Sequence, residues 1–300
     1  MKQVVSISLG SSKRNGTTVA TFGGQEFSIK RIGTDGNTEE AARLIRELDG
    51  KVAAIGLGGT DLYVYAGNKR YMFKESAALA ANAKITPVVD GSAIKNTLER
   101  RVVAYLMEKH GIDFKDKQAL IVCAVDRFGL AEALVGAGSR AVFGDLMFGL
   151  GLPMPITSLD GLARLASLVA PVITRLPVSW FYPTGSKQTQ VTPKFEQYFN
   201  NAAIIAGDFH FIRRYMPAVM KDKLIITNTV TQEDEVLLKE RGVATLVTTT
   251  PEMGGRSFGT NVLEGILTAL SGKHPDELMP EDYAQLIEQA GIEPRFKNLT

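Results

Sequence analysis

The spacing of apolar residues divides the chain into two stretches of different character. In the first, short alternating runs sit among helical ones. Val4 to Leu9 reads as a strand, while Thr17 to Phe22 and Phe27 to Lys30 flank Gly23-Gly24, the signal for a two-residue hairpin. Asn37 caps a helix with Glu39 and Glu40 in its positive first turn, Ala41, Leu44, Ile45 and Leu48 at helical spacing, and Asp49-Gly50 as its stop. A strand over Val52 to Leu57 comes next, then a second hairpin, Leu62 to Ala66 and Arg70 to Phe73 around Gly67-Asn68. Glu75 to Ala83 predicts a helix and Pro87 to Asp90 a short strand. Ser92 caps a further helix, with Ile94, Leu98, Val102 and Tyr105 on one face and Gly111 past its end. The charged run Asp113 to Lys117 reads as a linker, which puts the expected domains at 1–116 and 117–300.

Beyond the linker the rhythm changes. Ala119 to Val125, Ala141 to Phe143, Ala203 to Ala206, Leu224 to Thr227 and Thr245 to Val247 are continuous apolar or β-branched runs, as strands covered on both faces require. Helical segments separate them near Leu130 to Val135, Phe209 to Met216, Gln232 to Arg241 and Asn261 to Leu270, and Thr231 to Asp234 forms a capping-box variant. The expected fold is therefore α/β in two domains: a mixed-sheet N-terminal domain, and a doubly wound parallel-sheet, Rossmann-like C-terminal domain, with a cleft between. Right-handed crossovers bring the carboxyl ends of the second-half strands to one edge, where open α/β sheets bind ligands. Ser158 to Leu168 predicts a helix within an otherwise loop-like, Pro-rich stretch, and Pro280 to Gly291 predicts a terminal helix.

Composition narrows the partners. Lys and Arg number 34 against 32 Asp and Glu, and a net charge of +2 leaves no broad basic surface for nucleic acid. One cysteine, Cys123, rules out an internal disulfide framework. The richest apolar stretch, Ala141 to Ile156, is broken by Asp145, Pro153 and Pro155, so no membrane span is expected. The basic pair Lys13-Arg14 follows the first apolar run instead of preceding it, the reverse of a secretory signal. The expectation is a cytoplasmic protein that binds a small carboxylate or phosphate, with a homodimer as the commonest assembly.

Candidate chemistry lies at the strand ends. In the second half these are Asp126-Arg127, Asp145, Gly207-Asp208-Phe209-His210, Asn228-Thr229 and Thr248 to Pro251. Each is equally accounted for as an ordinary helix cap, but together they make a polar rim. Gly254, Gly255, Arg256 and Ser257, between the last strand and a helix, form an anion-site candidate: paired glycines permit close backbone approach, and Arg256 offers a planar donor fork. With Asn228 and Asp208 they are the residues assigned to a cofactor. In the first half a strand end meets a helix start at Asp90-Gly91-Ser92, followed by Lys95 and Asn96. Lys95, Asp90 and Asp126 are assigned to catalysis, and Asn96, Ser92, Thr60, Asp61 and Lys187 to substrate. Gly56 to Asp61 lacks the third glycine of a dinucleotide fingerprint and runs into a strand, so it is not read as one. No two of the three histidines have metal-ligand spacing and no metal is expected, although Asp126, Asp145 and Asp208 are of a type that suits magnesium. Cys123 reads as a core residue.

The stretches VVSISLGSSKR from Val4, IGTDG from Ile32, IGLGGTDLYVYAG from Ile55, PVVDGSAIKNTLERRV from Pro87 and TTTPEMGGRSFGTNVLE from Thr248 resemble those of a bacterial quinate 5-dehydrogenase-like family, related to shikimate dehydrogenases. The resemblance implies two α/β domains around a cleft, a cyclic polyhydroxy acid such as quinate or shikimate, and NAD or NADP as hydride acceptor. On that basis the chain is expected to be an NAD(P)-linked oxidoreductase of a hydroxylated carboxylic acid, with Lys95 handling the hydroxyl proton, Asp90 or Asp126 orienting and Arg256 gripping the carboxylate. Two alternatives stand beside it: a lyase or transferase without nicotinamide, and a binding protein for a phosphorylated or carboxylated metabolite.

Overall fold

The computed structural model describes residues 1–66, 69–176, 191–253, 256, 257 and 259–300. In chain order its elements are β1 (Lys2–Ser8), β2 (Gly16–Phe22), β3 (Gln25–Gly33), α1 (Thr38–Leu48), β4 (Ala54–Gly58), β5 (Tyr63–Ala66), β6 (Lys69–Met72), α2 (Lys74–Ala80), β7 (Val88–Val89) and α3 (Ser92–His110). There follow β8 (Gln118–Ile121), α4 (Phe128–Gly136), β9 (Arg140–Phe143), α5 (Leu159–Ile173), α6 (Glu196–Asn201), β10 (Ile204–Ala206), α7 (Phe209–Tyr215), β11 (Leu224–Thr227) and α8 (Gln232–Glu240). The last are β12 (Thr245–Thr248), β13 (Glu252–Met253), β14 (Arg256–Ser257), α9 (Thr260–Ser271), α10 (Pro280–Gln289) and β15 (Arg295–Asn298). Two compact units result: Met1–Thr97 with Val169–Lys187 and Phe258–Ile292, and Leu98–Leu168 with Gln188–Ser257 and Glu293–Thr300.

The first unit is built on a five-stranded sheet of order β2-β3-β1-β4-β7. β2 and β3 run antiparallel, and the φ angles of Gly23 and Gly24, 55° and 76°, place both turn residues in the left-handed region, as a type I′ hairpin requires. The remaining pairs are parallel. Val5, Ile7, Ile55 and Leu57 bury against Ala41 and Ile45 of α1 and Leu79 of α2. The alternate residues face α9. A Cβ on Gly265 would stand 2.9 Å from a Val4 methyl, and one on Gly56 would stand 2.8 Å from the Asn261 carbonyl oxygen. Small residues in β1 and β4 thus admit the start of α9, and Asn261 Nδ2 donates to Ser6 Oγ at 2.8 Å. Periodicity had grouped this helix with the crossovers of the second sheet; it packs instead on the first.

The second unit holds a six-stranded sheet, β15-β12-β11-β10-β8-β9, parallel except for β15. Leu120, Ile205, Ile225 and Leu246 pack with Phe199, Ile212 and Leu238 on one face. Ala119, Ile121, Ile204, Ile226 and Val247 pack with Val102, Leu106, Leu130 and Leu162 on the other. Coverage of both faces explains the unbroken apolar strands. Numbered within the sheet, the parallel strands run 2-1-3-4-5, the flavodoxin-like doubly wound order, and the topological switch point falls between β8 and β10. Among the described residues no helix is long and apolar enough to cross a membrane.

Candidate functional site

In the first unit the parallel strands β4 and β7 end side by side, and their carboxyl ends assemble most of the residues assigned to this half. Asp90, one residue past β7, is saturated: Oδ2 accepts the N–H groups of Leu62 (2.6 Å) and Tyr63 (3.2 Å), and Oδ1 accepts the N–H (3.1 Å) and hydroxyl (2.7 Å) of Ser92. The Ser92 hydroxyl therefore donates its hydrogen bond to Asp90 instead of capping α3 itself. The same carboxylate binds the loop after β4 and the first turn of α3. Those two segments carry Asp61 and Lys95, and Lys95 Nζ lies 3.5 Å from Asp61 Oδ1, with the side chains only 8% and 14% exposed. Asn96 follows on α3, half-buried. Thr60 Oγ1 lies 2.5 Å from Ser76 Oγ and lines a cavity of about 290 Å³ together with Leu9, Thr38, Glu39, Glu75 and Ser76. Its volume is at the small end of ligand pockets, and its walls offer hydroxyl and carboxylate groups over an apolar floor.

Behind this cluster stands Glu264 of α9, which sequence reasoning missed. It is buried, and burial, with the Asp90 charge adding to it, pushes its pKa up to about 8, although the N–H groups of Gly91 and Ala93 and the Tyr283 hydroxyl face it and pull the other way. The signal was present: a lone acid inside the largely apolar run Val262 to Leu267.

In the second unit the switch point carries Asp126 and Arg127 after β8, Asp208 after β10 and Asn228 after β11. Arg127 is the hub. Its guanidinium bonds Glu99 Oε1 at 2.6 Å and Asp208 Oδ2 at 3.1 Å, and its Nε lies 3.7 Å from Asp126 Oδ2. Burial works against its charge, but Glu99, Asp126 and Asp208 more than offset this and hold its pKa above the ordinary value. Asn228 Nδ2 donates to Asp208 Oδ2 at 2.7 Å, and Asp208 Oδ1 accepts the His210 N–H, capping α7. Cys123 Sγ accepts the Asp208 N–H at 3.4 Å, and burial pushes the thiol well up, which keeps it protonated and unreactive. Asp145, after β9, accepts the N–H groups of Ala124 (3.1 Å) and Val125 (2.8 Å), and burial raises its pKa to about 6. Among the described residues no group of three or more His, Cys, Asp or Glu side chains is arranged to hold a metal ion.

Ser257 is buried in β14, its Oγ 3.5 Å from Thr248 Oγ1. Gly254, Gly255 and Lys187 lie outside the described residues, as does the side chain of Arg256, whose backbone pairs with Met253.

The profile of the family described as Domain of unknown function (DUF8754) matches residues 93–299, more than half of the sequence. The chain belongs to the DUF8754 family. A second profile, Domain of unknown function (DUF8753), covers residues 3–90, so the two meet at the Asp90 to Ala93 junction where α3 begins. No curated protein matches by sequence. Among solved structures this DUF8754 protein is similar to a hetero-hexameric glutamate dehydrogenase from Thermus thermophilus, at 13% identity over 97% of this chain and 73% of that one, with a TM-score of 0.44. It is similar also to a galactofuranose binding protein (13% identity, 97% and 99% covered, TM-score 0.35). A third is the methylenetetrahydrofolate dehydrogenase-cyclohydrolase of Trypanosoma brucei, complexed with NADP and an inhibitor (10% identity, 90% and 87% covered, TM-score 0.37). Dehydrogenases and sugar-binding proteins alike stand among these neighbours.

Proposed function

We propose that the chain is an enzyme that moves a proton on a hydroxylated carboxylic acid of the quinate or shikimate type, as a lyase or transferase does, with Lys95 and Asp61 as its acid–base pair. The observation that carries this reading is the buried Lys95–Asp61 contact, at 3.5 Å, at the carboxyl ends of parallel strands. An ammonium held beside a carboxylate gives one donor and one acceptor for a substrate hydroxyl, and positioned groups of this kind contribute about 10²- to 10⁴-fold to rate. Exclusion of water strengthens both contacts.

The oxidoreductase reading uses the same pair and adds a nicotinamide dinucleotide as hydride acceptor. Asp145 favours it, because an acidic residue at the end of the second strand is where dinucleotide sites take the ribose hydroxyls. The turn after β8 opposes it. That turn carries Val125, Asp126 and Arg127 where close approach of a pyrophosphate wants glycines, and Asp145 already takes the N–H groups of Ala124 and Val125. The carboxylates of Asp126 and Asp208 would face the phosphates, with the Arg127 guanidinium committed to Glu99 and Asp208. These residues do not fit a dinucleotide, and the first reading is preferred.

Melting curves separate the two. A ligand at one hundred times its dissociation constant adds about 2.7 kcal/mol, which is readily seen as a shift. Quinate or shikimate is expected to raise the melting temperature, and NAD and NADP to leave it unchanged. A shift with either nucleotide returns the chain to the oxidoreductases, and no shift with any hydroxylated acid removes both readings.

A further inference from the structure

We infer that Glu264 of α9 is a positioning residue, which with Asp90 holds Lys95 against Asp61 by fixing the start of α3. The inference rests on the reading of Lys95 and Asp61 as the acid–base pair, and adds a residue from the opposite end of the sequence to it.

A helix start leaves its first N–H groups without intrahelical partners, and whatever takes them fixes where the first turn sits. At α3 Asp90 takes the Ser92 N–H at 3.1 Å, and the Glu264 carboxyl group is faced by the N–H groups of Gly91 and Ala93 on either side of it. Lys95 lies in that turn, its own N–H bonded to the Gly91 carbonyl at 3.0 Å. The approach is close enough to demand glycine. Gly91 has φ +93°, and a Cβ there would meet Thr260 Oγ1 at 2.3 Å and the Asn261 N at 2.5 Å. The beginning of α9 therefore sits directly on the beginning of α3. Glu264 follows one turn later, with Oε2 buried and lacking a hydrogen-bond partner among the described residues.

Two carboxylates cannot both stay charged in such a place. The ionisable groups facing Glu264 are Asp90 at the end of β7 and Tyr283 of α10, and its charge is felt by Tyr63 of β5, over whose ring the Arg70 guanidinium lies. With the proton on Glu264 the group beside Asp90 is neutral, and it is Asp90 that binds both the Asp61 loop and the first turn of α3, which carries Lys95. Loss of that proton sets a second negative charge beside Asp90, and the start of α3 must open to solvate it.

The test is the reactivity of the Lys95 amine toward acetic anhydride, read by peptide mass spectrometry as a ratio to exposed Lys109 on the same helix, across about pH 6.5 to 9.5. In the wild type the ratio is expected to be low near neutrality and to rise several-fold through about pH 8, as the proton leaves Glu264. Glu264→Gln, which keeps the neutral shape, is expected to hold the ratio low throughout. Glu264→Ala is expected to raise it about threefold or more at every pH through local opening. A ratio and pH course that stay as in the wild type in both variants, even with lowered melting temperatures, would overturn the inference and leave Glu264 a merely structural residue. Asp61→Asn reports on the pair alone: a raised ratio upholds it, and an unchanged ratio removes the acid–base reading whatever Glu264 does.

Discussion

Replacing Arg127 by Met is expected to destabilise the second unit by about 3–5 kcal/mol, the usual effect of taking one partner out of a buried ion pair. The side chains of Arg127 and Glu99 are 4% and 1% exposed, so Glu99 would have to be protonated, or drag water inward, once the guanidinium is gone. Asp208 would lose its 3.1 Å contact at the same time, loosening the cap of α7. The urea midpoint of Arg127→Met checks the magnitude. The double variant Arg127→Met with Glu99→Leu should recover most of the loss, because replacing both charges removes the desolvation of each. A single variant as stable as wild type would show that the network does not hold the switch point together.

The second large effect is on pH. Burial raises the Glu264 pKa to about 8, against 4.5 for an ordinary glutamate, so between those values the folded chain keeps a proton that the unfolded chain has lost. Unfolding then releases a proton. This contribution to stability is fully present below about pH 4.5 and falls away as pH rises toward 8. Glu264→Gln cannot ionise and escapes the loss. It is expected to match the wild type in acid and to exceed it above pH 8 by up to about 5 kcal/mol, read from denaturant midpoints across the range. Parallel pH profiles for the two proteins would place the Glu264 pKa near the ordinary value.

Local chemistry was the legible part of this fold. Gly23-Gly24 between alternating runs announced the β2–β3 hairpin, and Thr231 to Asp234 announced α8, where the capping box is formed in full. Continuous apolar runs announced strands buried on both faces. Partner choice was not legible: the periodicity of Asn261 to Leu270 gives an apolar helix but not the sheet it covers. The answer lay in the other strands, where Ser6, Gly56 and Gly58 leave room for α9. β15 went unrecognised because Arg295 to Asn298 has almost no apolar pattern; its Arg295 and Lys297 instead pair with Glu235 across the sheet edge. At the site, Asp90, Ser92 and Lys95 were visible as a strand end meeting a helix start. The pairing of Lys95 with Asp61 depends on β4 and β7 being neighbours, and no local pattern states that.

The central claim is that Lys95 and Asp61 act on a ligand as one pair, and a double-mutant cycle on quinate or shikimate affinity measures this directly. Lys95→Met, Asp61→Asn and the double variant would be titrated by calorimetry with whichever acid raises the melting temperature. A cooperating pair predicts non-additive losses, with the double variant no weaker than Lys95→Met and an interaction term of about 1–3 kcal/mol. Losses that simply add, or variants that bind as the wild type does, would contradict it.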